Sequence, residues 1–208
     1  MADTKSKLVD ATLRVVATEG LAGASARVIA AAAGVNQALV FYHFGSIDQL
    51  LTQACRQATQ ARVALYRDRF DAASSLGELL AVGRELHETE RAEGNVTVLA
   101  QLLAGAQTDP KLAGPVAEAL GLWIAEIERV LDRGLADLPL ADLFDRPGLA
   151  RLVASAFIGL ELYEGVDEAG ATAAIDALTQ FAALTQVLDD LGPVARRALK
   201  AKLRKATR

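Results

Sequence analysis

The sequence predicts an all-α fold in which a small N-terminal domain of three helices precedes a larger helical bundle. Of its 208 residues, 52% are hydrophobic and only five are proline. Alanine and leucine are abundant and β-branched runs are few, which favours helices over strands. Near the N-terminus, two short helical runs meet at a tight turn that contains glycine. Together these observations favour helices throughout the chain.

The first two helices have recognisable ends. Residues 5–18 form the first helix, with an inward apolar stripe, and Gly20 closes it. Ser25 is a good N-cap for the second helix, because its hydroxyl can accept a backbone N–H of the first turn. Gly34 ends that helix, since glycine adopts the left-handed backbone conformation without strain.

A third short helix follows directly. Asn36 caps its start. Val40 and Phe44 are four residues apart and therefore face inward together, whereas Gln37 and Ala38 in the first turn face outward. This pattern predicts one buried and one exposed side of the helix.

Two short helices joined by a tight turn are typical of a helix-turn-helix, which places its second helix in the major groove of DNA. Of the aromatic neighbours Phe41 and Tyr42 on that second helix, we expect one to be packed in the core. Three helices are enough for a small DNA-binding domain that docks on a larger body. We place this domain at residues 1–51.

Residues 5–51, about a quarter of the chain, resemble the N-terminal domain of the TetR family of bacterial transcription regulators. The matching positions are Leu8, Glu19, Gly20, Ser25, Arg27, Ile29, Ala30, Ala33, Gly34, Val35, Tyr42, His43, Phe44, Gly45, Ser46, Leu50 and Leu51. The resemblance implies a homodimeric regulator, most often a repressor. Such a regulator binds a near-palindromic double-stranded DNA operator and responds to a small-molecule effector.

Two positions depart from the family pattern. The family usually has a hydroxyl-bearing aromatic residue at the position of Phe41, where this chain lacks the hydroxyl and Tyr42 follows. At the position of Ile47 the family usually has a lysine that approaches a phosphate. That phosphate contact is therefore absent here or supplied by another residue.

The candidate DNA-binding residues lie in and around the turn. They are Ser25, Arg27, Asn36, Gln37, Ala38, Phe41, Tyr42, His43 and Ser46. Gln37 is the first candidate for a base contact, because an amide can pair in two-pronged fashion with adenine. The side chain of Asn36 either caps the third helix or contacts DNA. Arg27 is either a DNA contact or a solvated surface residue, and the resemblance implies that His43 touches a phosphate.

The charge is unusual for a DNA-binding protein. The chain has a net charge of −4. Within residues 25–46, Arg27 is the only cation and there is no acidic residue. DNA affinity falls with salt at a log–log slope of roughly −0.9 per phosphate contact, so we expect a modest salt dependence. Hydroxyls and helix N-termini would then carry much of the phosphate anchoring.

Residues 52–192 are predicted to form a helical effector-binding and dimerisation domain. The remaining helices are expected at residues 46–73, 75–91, 96–107, 110–135, 147–163 and 169–191, with a loop at 138–145. Residues 193–208 form a basic tail with seven cations and no acid. The tail is either a solvated terminus or an arm that contacts phosphate or the acidic body.

The helices at 147–163 and 169–191 carry small residues that allow close helix packing. The resemblance implies a four-helix bundle formed by these helices from two subunits, whereas the alternative is the internal core of a monomer. The candidate interface residues are Ala154, Phe157, Gly159, Ala174, Ala177, Leu178 and Phe181. Two-fold symmetry would place two recognition helices roughly 34–36 Å apart.

The candidate effector-pocket residues are large or amphipathic side chains of the bundle. They are Tyr66, Phe70, His87, Gln101, Trp123, Phe157, Glu161 and Tyr163. Each of them is also compatible with ordinary core packing. Glu161 and Glu164 lie on an otherwise apolar helix. Three alternatives stay open for them. Both carboxylates bind a cationic ligand, both line the edge of the dimer interface, or Glu164 is only an exposed residue near the helix end. The identity of the effector stays open.

Other functional classes have less support. The sequence contains no Gly-rich phosphate loop, nucleophile elbow or metal-spaced Cys/His cluster, so we expect no catalytic residue, metal site or cofactor. One alternative is a helical-bundle enzyme that uses Glu161 and Glu164 with an external cofactor. Another is a helical ligand-binding or scaffolding protein that has lost specific DNA binding. The apolar runs are too short for a membrane span, and no signal peptide is recognisable. Cys55 is the only cysteine. These features predict a cytoplasmic location without membrane contact.

Overall fold

The structure is a computed structural model that describes residues 2–135 and 145–189 and positions 194, 198 and 201, with the side chains of residues 3–135, 145–180 and those three positions. These residues form nine helices and no strand. The helices are α1 Ala2–Gly23, α2 Ala26–Ala33, α3 Ala38–Phe44, α4 Ile47–Ala72, α5 Leu76–Ala92, α6 Asn95–Thr108, α7 Pro110–Gly134, α8 Arg146–Glu164 and α9 Glu168–Asp189.

The all-α prediction is confirmed, and the helix ends fall close to the predicted residues. The predicted loop at 138–145 lies outside the described residues except for Asp145, as does most of the basic tail. The side chain of Phe181, a candidate interface residue, also lies outside them.

Glycines with positive φ set several of the helix boundaries. Gly34 has φ 66° after α2, Gly45 has φ 75° after α3, and Gly94 has φ 76° before α6. Gly20 has φ 74° and lies inside α1, which continues to Gly23 after this kink. Gly20 therefore bends the first helix, whereas the sequence predicted that it would end the helix.

The chain divides into two compact units, and the division falls within α4, α5 and α7. The first unit comprises Met1–Leu65 and Glu88–Leu122, and the second comprises Tyr66–His87 and Trp123–Arg208. The predicted boundaries at residues 51 and 192 concern functional domains and stay a prediction. The compact unit that contains the helix-turn-helix also contains α6 and the first half of α7.

The first unit is built around a core that α1, α2, α3 and α4 share. Leu8, Ile29, Val40 and Leu50 are fully buried in it. Leu112 from the first turn of α7 is buried in the same cluster, and α1 also packs against α6. The N-terminal helices therefore do not complete their core alone, which agrees with the small apolar area that three short helices can bury.

The second unit has its own aromatic and aliphatic core. Tyr66, Phe70, Ile127 and Ala150 are buried there, and Trp123 packs against them. Each of these residues belongs to one of the helices α4, α7 and α8, so the core joins these helices. A fully buried side chain of this size typically contributes about 1.5–3 kcal/mol relative to an exposed one.

Candidate functional site

The turn between α2 and α3 has a well-defined hydrogen-bond pattern. The backbone N–H of Val35 donates to the carbonyl of Ala30 at 3.0 Å, and that of Gly34 donates to the carbonyl of Ala31 at 3.1 Å. This pair of bonds, with a left-handed glycine, is a Schellman motif that satisfies the last carbonyls of α2. At the other end of α2, Ser25 Oγ accepts from the backbone nitrogen of Val28 at 3.3 Å.

Asn36 holds the start of the recognition helix. The backbone nitrogen of Ala38 donates to Asn36 Oδ1 at 2.8 Å, and the backbone nitrogen of Leu39 donates to the carbonyl of Asn36 at 3.0 Å. The capping role predicted for Asn36 is therefore present in the structure. Gln37, the next residue, is exposed and makes no side-chain cap.

One side of α3 is buried and the other faces solvent. Val40 is fully buried and Phe44 is nearly so. The side chains of Gln37, Ala38, Phe41 and Tyr42 are all exposed. The exposed residues are spaced i, i+1, i+4 and i+5, so they form a single continuous face.

The expectation that Phe41 or Tyr42 is packed in the core is wrong. The two side chains are 48% and 69% exposed. The reason is geometric: Val40 and Phe44 already fill the inward side, and residues one or two positions further along are rotated by about 100° and 200° from Val40 on a helix of 3.6 residues per turn. A helix of seven residues has one inward side only.

The edge of this face carries the remaining polar candidates. His43 is half-buried, and its ring meets the ring of Tyr42 edge-on with centroids 4.9 Å apart. Ser46 caps α4, because its Oγ accepts from the backbone nitrogen of Gln49 at 3.1 Å. Arg27 on α2 is exposed.

The start of α4 differs from the family pattern in a specific way. Ile47 is half-buried and packs against the core of the first unit. Its neighbour Asp48 forms an ion pair with Lys111 of α7, with Nζ and Oδ2 separated by 3.3 Å. The position that would approach a phosphate thus contributes apolar packing here.

A buried polar cluster lies in the second unit. His87 on α5 is buried, with Nδ1 3.5 Å from Glu161 Oε1 and Nε2 2.7 Å from Glu164 Oε2. The ring of Phe157 meets the imidazole edge-on, with centroids 6.1 Å apart. The two carboxylates are three residues apart on α8, so both point to the same side of that helix. Glu164 is only 14% exposed, which excludes the simple exposed role considered for it.

A small cavity adjoins this cluster. Its volume is about 20 Å³, and it is lined by His87, Phe157, Leu160, Glu161, Glu164, Ala171 and Ile175. This volume holds about one water molecule. A ligand larger than a water molecule would therefore need the residues that line the cavity to rearrange.

The predicted pocket residues form separate groups. His87, Phe157 and Glu161 lie together at the cavity. Tyr66 and Phe70 lie in the aromatic core, each with its ring centroid within 6.3 Å of that of Trp123.

Two of the candidates lie elsewhere. Gln101 is an exposed residue of α6 in the first unit, where it approaches Gly20. Tyr163 is 49% exposed and donates from its hydroxyl to Asp167 at 2.8 Å.

Sequence reasoning missed three residues of the cavity lining, namely Leu160, Ala171 and Ile175. Ala171 and Ile175 are four residues apart on α9, so they share a helix face. That spacing predicts a shared face but does not indicate which helix it meets. Glu164, which from the sequence is a candidate ligand contact together with Glu161, lies beside it at the cavity.

An exposed stripe runs along α8. Its members recur every three or four residues and all face solvent: Leu152, Ala156, Gly159, Tyr163 and Val166, the last of these just beyond the helix end. Of the interface candidates on α8, Gly159 lies on this stripe, whereas Ala154 and Phe157 pack against the core of the second unit. On α9, Ala177 and Leu178 are exposed and Ala174 is half-buried.

Within the described part of the chain, none of the helices has the length and apolar character that a membrane crossing requires. The same residues contain no group of three or more His, Cys, Asp or Glu side chains arranged to hold a metal ion.

The N-terminal residues match a known protein family, and most of the chain is similar to a bacterial transcriptional regulator. The family of bacterial regulatory proteins named tetR matches residues 8–54, which contain α2, α3 and the start of α4. An HTH-type transcriptional regulator of Mycobacterium tuberculosis, itself uncharacterised, is 25% identical over 167 residues. The match covers 79% of this chain and 84% of that relative.

Solved structures share the fold over most of the chain. A structure described as a TetR-family transcriptional regulator from Rhodococcus sp. has 23% identity and a TM-score of 0.74, and the match covers 90% of this chain and all of that one. The multidrug binding protein EbrR, crystallised with imidazole and also with proflavin, is 27% identical. In its imidazole complex, the match covers 85% of this chain and 93% of that one, with a TM-score of 0.62. With the helix-turn-helix geometry, these likenesses support a transcriptional regulator of the TetR type, and the family match itself covers the N-terminal residues 8–54.

Proposed function

We propose that this regulator is a cytoplasmic homodimeric repressor that binds a near-palindromic operator and leaves it when a small-molecule effector binds. The observation that carries the proposal is the solvent-facing side of α3, where Gln37, Ala38, Phe41 and Tyr42 are exposed together. A helix of this size fits the major groove of B-DNA, where base pairs can be distinguished by their edges.

The residues of the helix-turn-helix would divide between reading bases and holding phosphates. Gln37 pairs with adenine through the oxygen and the nitrogen of its side-chain amide. Arg27, Tyr42 and His43 lie around the base-reading residue and contact phosphates, which fix position and carry no sequence information. Asn36 is engaged in the cap of α3, so it maintains the turn and does not read a base.

Dimerisation would use the exposed stripe of α8 together with α9. Leu152 is 63% exposed and Val166 is 87% exposed, and burying such side chains against a second copy favours association. Gly159 lies between them and lets two helices approach closely. Two copies related by a two-fold axis present two recognition helices, which accounts for a palindromic site.

The effector would bind in the second unit, next to His87, Glu161 and Phe157. These residues place charged and aromatic groups around one cavity, the combination that small-molecule sites typically use. The two compounds crystallised with EbrR support a small-molecule effector for this chain. Effector binding favours a conformation of the dimer that does not bind DNA, and the differential affinity for the two conformations sets the degree of release.

Trp123 allows this proposal to be tested directly, because it is the only tryptophan and lies in the core of the second unit. Compounds that shift its fluorescence identify effector candidates. The same compounds are then added to the protein bound to a fluorescent operator, and release is followed by anisotropy. We expect the fluorescence shift and the release to occur over one concentration range. Compounds that saturate the shift while the operator stays bound contradict the effector mechanism.

The alternative, a helical ligand-binding protein without specific DNA binding, is favoured by two observations. Ile47 packs into the core where the family has a phosphate-contacting lysine, and the net charge of the chain is −4. Under this alternative, ligands would shift Trp123 fluorescence while no DNA sequence is preferred.

A further inference from the structure

The exposed face of α3 contains an aromatic side chain that cannot form a hydrogen bond. Phe41 is 48% exposed although the helix has only seven residues and already buries Val40 and Phe44. One turn earlier on the same face lies Ala38, whose small side chain leaves the phenyl ring accessible from that direction. Ala38, Phe41 and the adjacent Tyr42 are exposed together, and a contiguous exposed apolar patch with polar residues at its edge marks an interaction site.

The chemistry of the major groove limits what this ring can recognise. Adenine, guanine and cytosine present hydrogen-bond donors and acceptors there, whereas thymine also presents its C5-methyl group. A phenyl ring gains nothing from facing an unpaired donor or acceptor, since it would desolvate that group without replacing its hydrogen bond. Packing against a methyl group is the favourable contact available to it.

We infer that Phe41 reads thymine in the operator through the C5-methyl group. The inference rests on the proposed function, because it requires α3 to enter the major groove. The inference accounts for the missing hydroxyl at position 41, where the family usually has a hydroxyl-bearing aromatic residue. Because the phenyl ring cannot donate a hydrogen bond to a phosphate, we assign it to the recognition of a base pair. Each half-site then contains a thymine whose methyl group meets Phe41, in addition to the adenine that pairs with Gln37.

Deoxyuridine provides the probe, because it differs from thymidine only by lacking the methyl group. The operator, obtained by selection from random duplexes, is synthesised with deoxyuridine at one thymine position in both half-sites, and each position is tested in turn. Affinity is measured with the full-length dimer at constant salt. Burying one methyl-sized group is worth about 0.8 kcal/mol, which corresponds to roughly fourfold in affinity per half-site and roughly 16-fold for both.

Two variants assign the effect to the phenyl ring. Phe41→Ala should bind the thymine and deoxyuridine operators equally, because the contact is already lost. Tyr42→Phe removes a hydroxyl proposed to contact phosphate, so it should weaken binding to both operators by the same factor and keep the full preference for thymine. Since Phe41 is half exposed, Phe41→Ala should fold normally, and thermal unfolding checks this.

Three results overturn the inference. The wild-type protein could bind every deoxyuridine operator as tightly as the original, or Phe41→Ala could keep the preference for thymine. In both of these cases an operator exists, so the proposed function survives and only the role of Phe41 fails. If selection yields no operator sequence at all, the proposed function and this inference fail together.

Discussion

Asn36 Oδ1 lies 2.8 Å from the backbone nitrogen of Ala38, so the side chain of Asn36 is engaged in a hydrogen bond that caps α3. The neighbouring Gln37 has a similar amide group and is also exposed, but it makes no cap hydrogen bond. Two adjacent amides therefore have different tasks. The first stabilises the turn, and the second is available to the DNA.

This difference predicts opposite outcomes for two alanine substitutions. Gln37→Ala should weaken binding to the selected operator by about 5- to 150-fold, since a good two-pronged base contact is worth about 1–3 kcal/mol, and leave random DNA unaffected. Asn36→Ala should lower the free energy of unfolding by about 1 kcal/mol through loss of the cap. The measurements are binding to operator and random duplexes at one salt concentration, and urea unfolding.

His43→Ala is the matched control for Gln37→Ala, because His43 is proposed to hold a phosphate. It should weaken binding to operator and random DNA by similar factors. The division of roles is wrong if Gln37→Ala and His43→Ala have the same effect on the ratio of specific to random affinity.

If the exposed stripe of α8 forms the dimer interface, a charged residue at its first position, Leu152, should weaken dimerisation. Leu152→Glu should weaken dimerisation by at least about 100-fold, because two leucine side chains lose a burial worth about 1.5 kcal/mol or more each. Arg151→Glu alters the charge of the adjacent exposed residue and serves as control. Sedimentation equilibrium over a range of protein concentrations measures both. A dimer unaffected by Leu152→Glu would place the interface elsewhere.

Asp167 gives a prediction about pH. Its carboxylate accepts from the backbone N–H of Gly170 at 2.9 Å and from the hydroxyl of Tyr163 at 2.8 Å, and these bonds lower the pKa of the carboxyl group. A carboxyl whose pKa is lowered by folding stabilises the folded state above its ordinary pKa, and this contribution is lost as the pH falls through the folded-state pKa.

Asp167→Asn should therefore lower the Tm at pH 7, and the difference from the wild type should shrink as the pH falls below about 4. Asparagine keeps an acceptor oxygen, so the substitution tests the charge and not the shape. Thermal unfolding at several pH values measures the effect, with Asp68→Asn on the exposed side of α4 as control. A difference that does not depend on pH would show that the carboxylate charge has no part in it.

The polar cluster around His87 should be important for the stability of the second unit. Removing one partner of a buried polar contact leaves the other without its hydrogen bond, which typically costs about 1–3 kcal/mol and more when that group is charged. His87→Ala should lower the free energy of unfolding by a similar amount, measured with urea. Glu88→Ala, the adjacent exposed position, should have little effect. A change below about 0.5 kcal/mol for His87→Ala would indicate that water replaces the imidazole.

The local chemistry of the sequence was sufficient for the helix-turn-helix. Ser25, Gly34 and Asn36 each act through hydrogen bonds or backbone angles within a few residues, and the structure has them in the predicted positions. The helical pattern did not show that Phe41 and Tyr42 are both exposed. Their environment depends on how much of the helix surface Val40 and Phe44 cover, which is a matter of tertiary packing.

The proposed effector site was less predictable from the sequence for a physical reason. His87, Glu161 and Ile175 come from three helices, α5, α8 and α9, and no local pattern indicates which faces meet. Residue type alone placed Gln101 with them, although it lies on α6 in the other compact unit. Long-range packing of this kind is what a single sequence leaves open.

Selection of bound sequences from a random duplex library tests the central claim most directly. Purified full-length protein is used at about 0.1–0.15 M salt, where non-specific phosphate binding is suppressed. We predict enrichment of a near-palindrome with half-site centres about 34–36 Å apart, as two recognition helices on a two-fold axis require. Absence of any enriched sequence, with the protein folded and dimeric, would contradict the claim that the exposed face of α3 reads DNA.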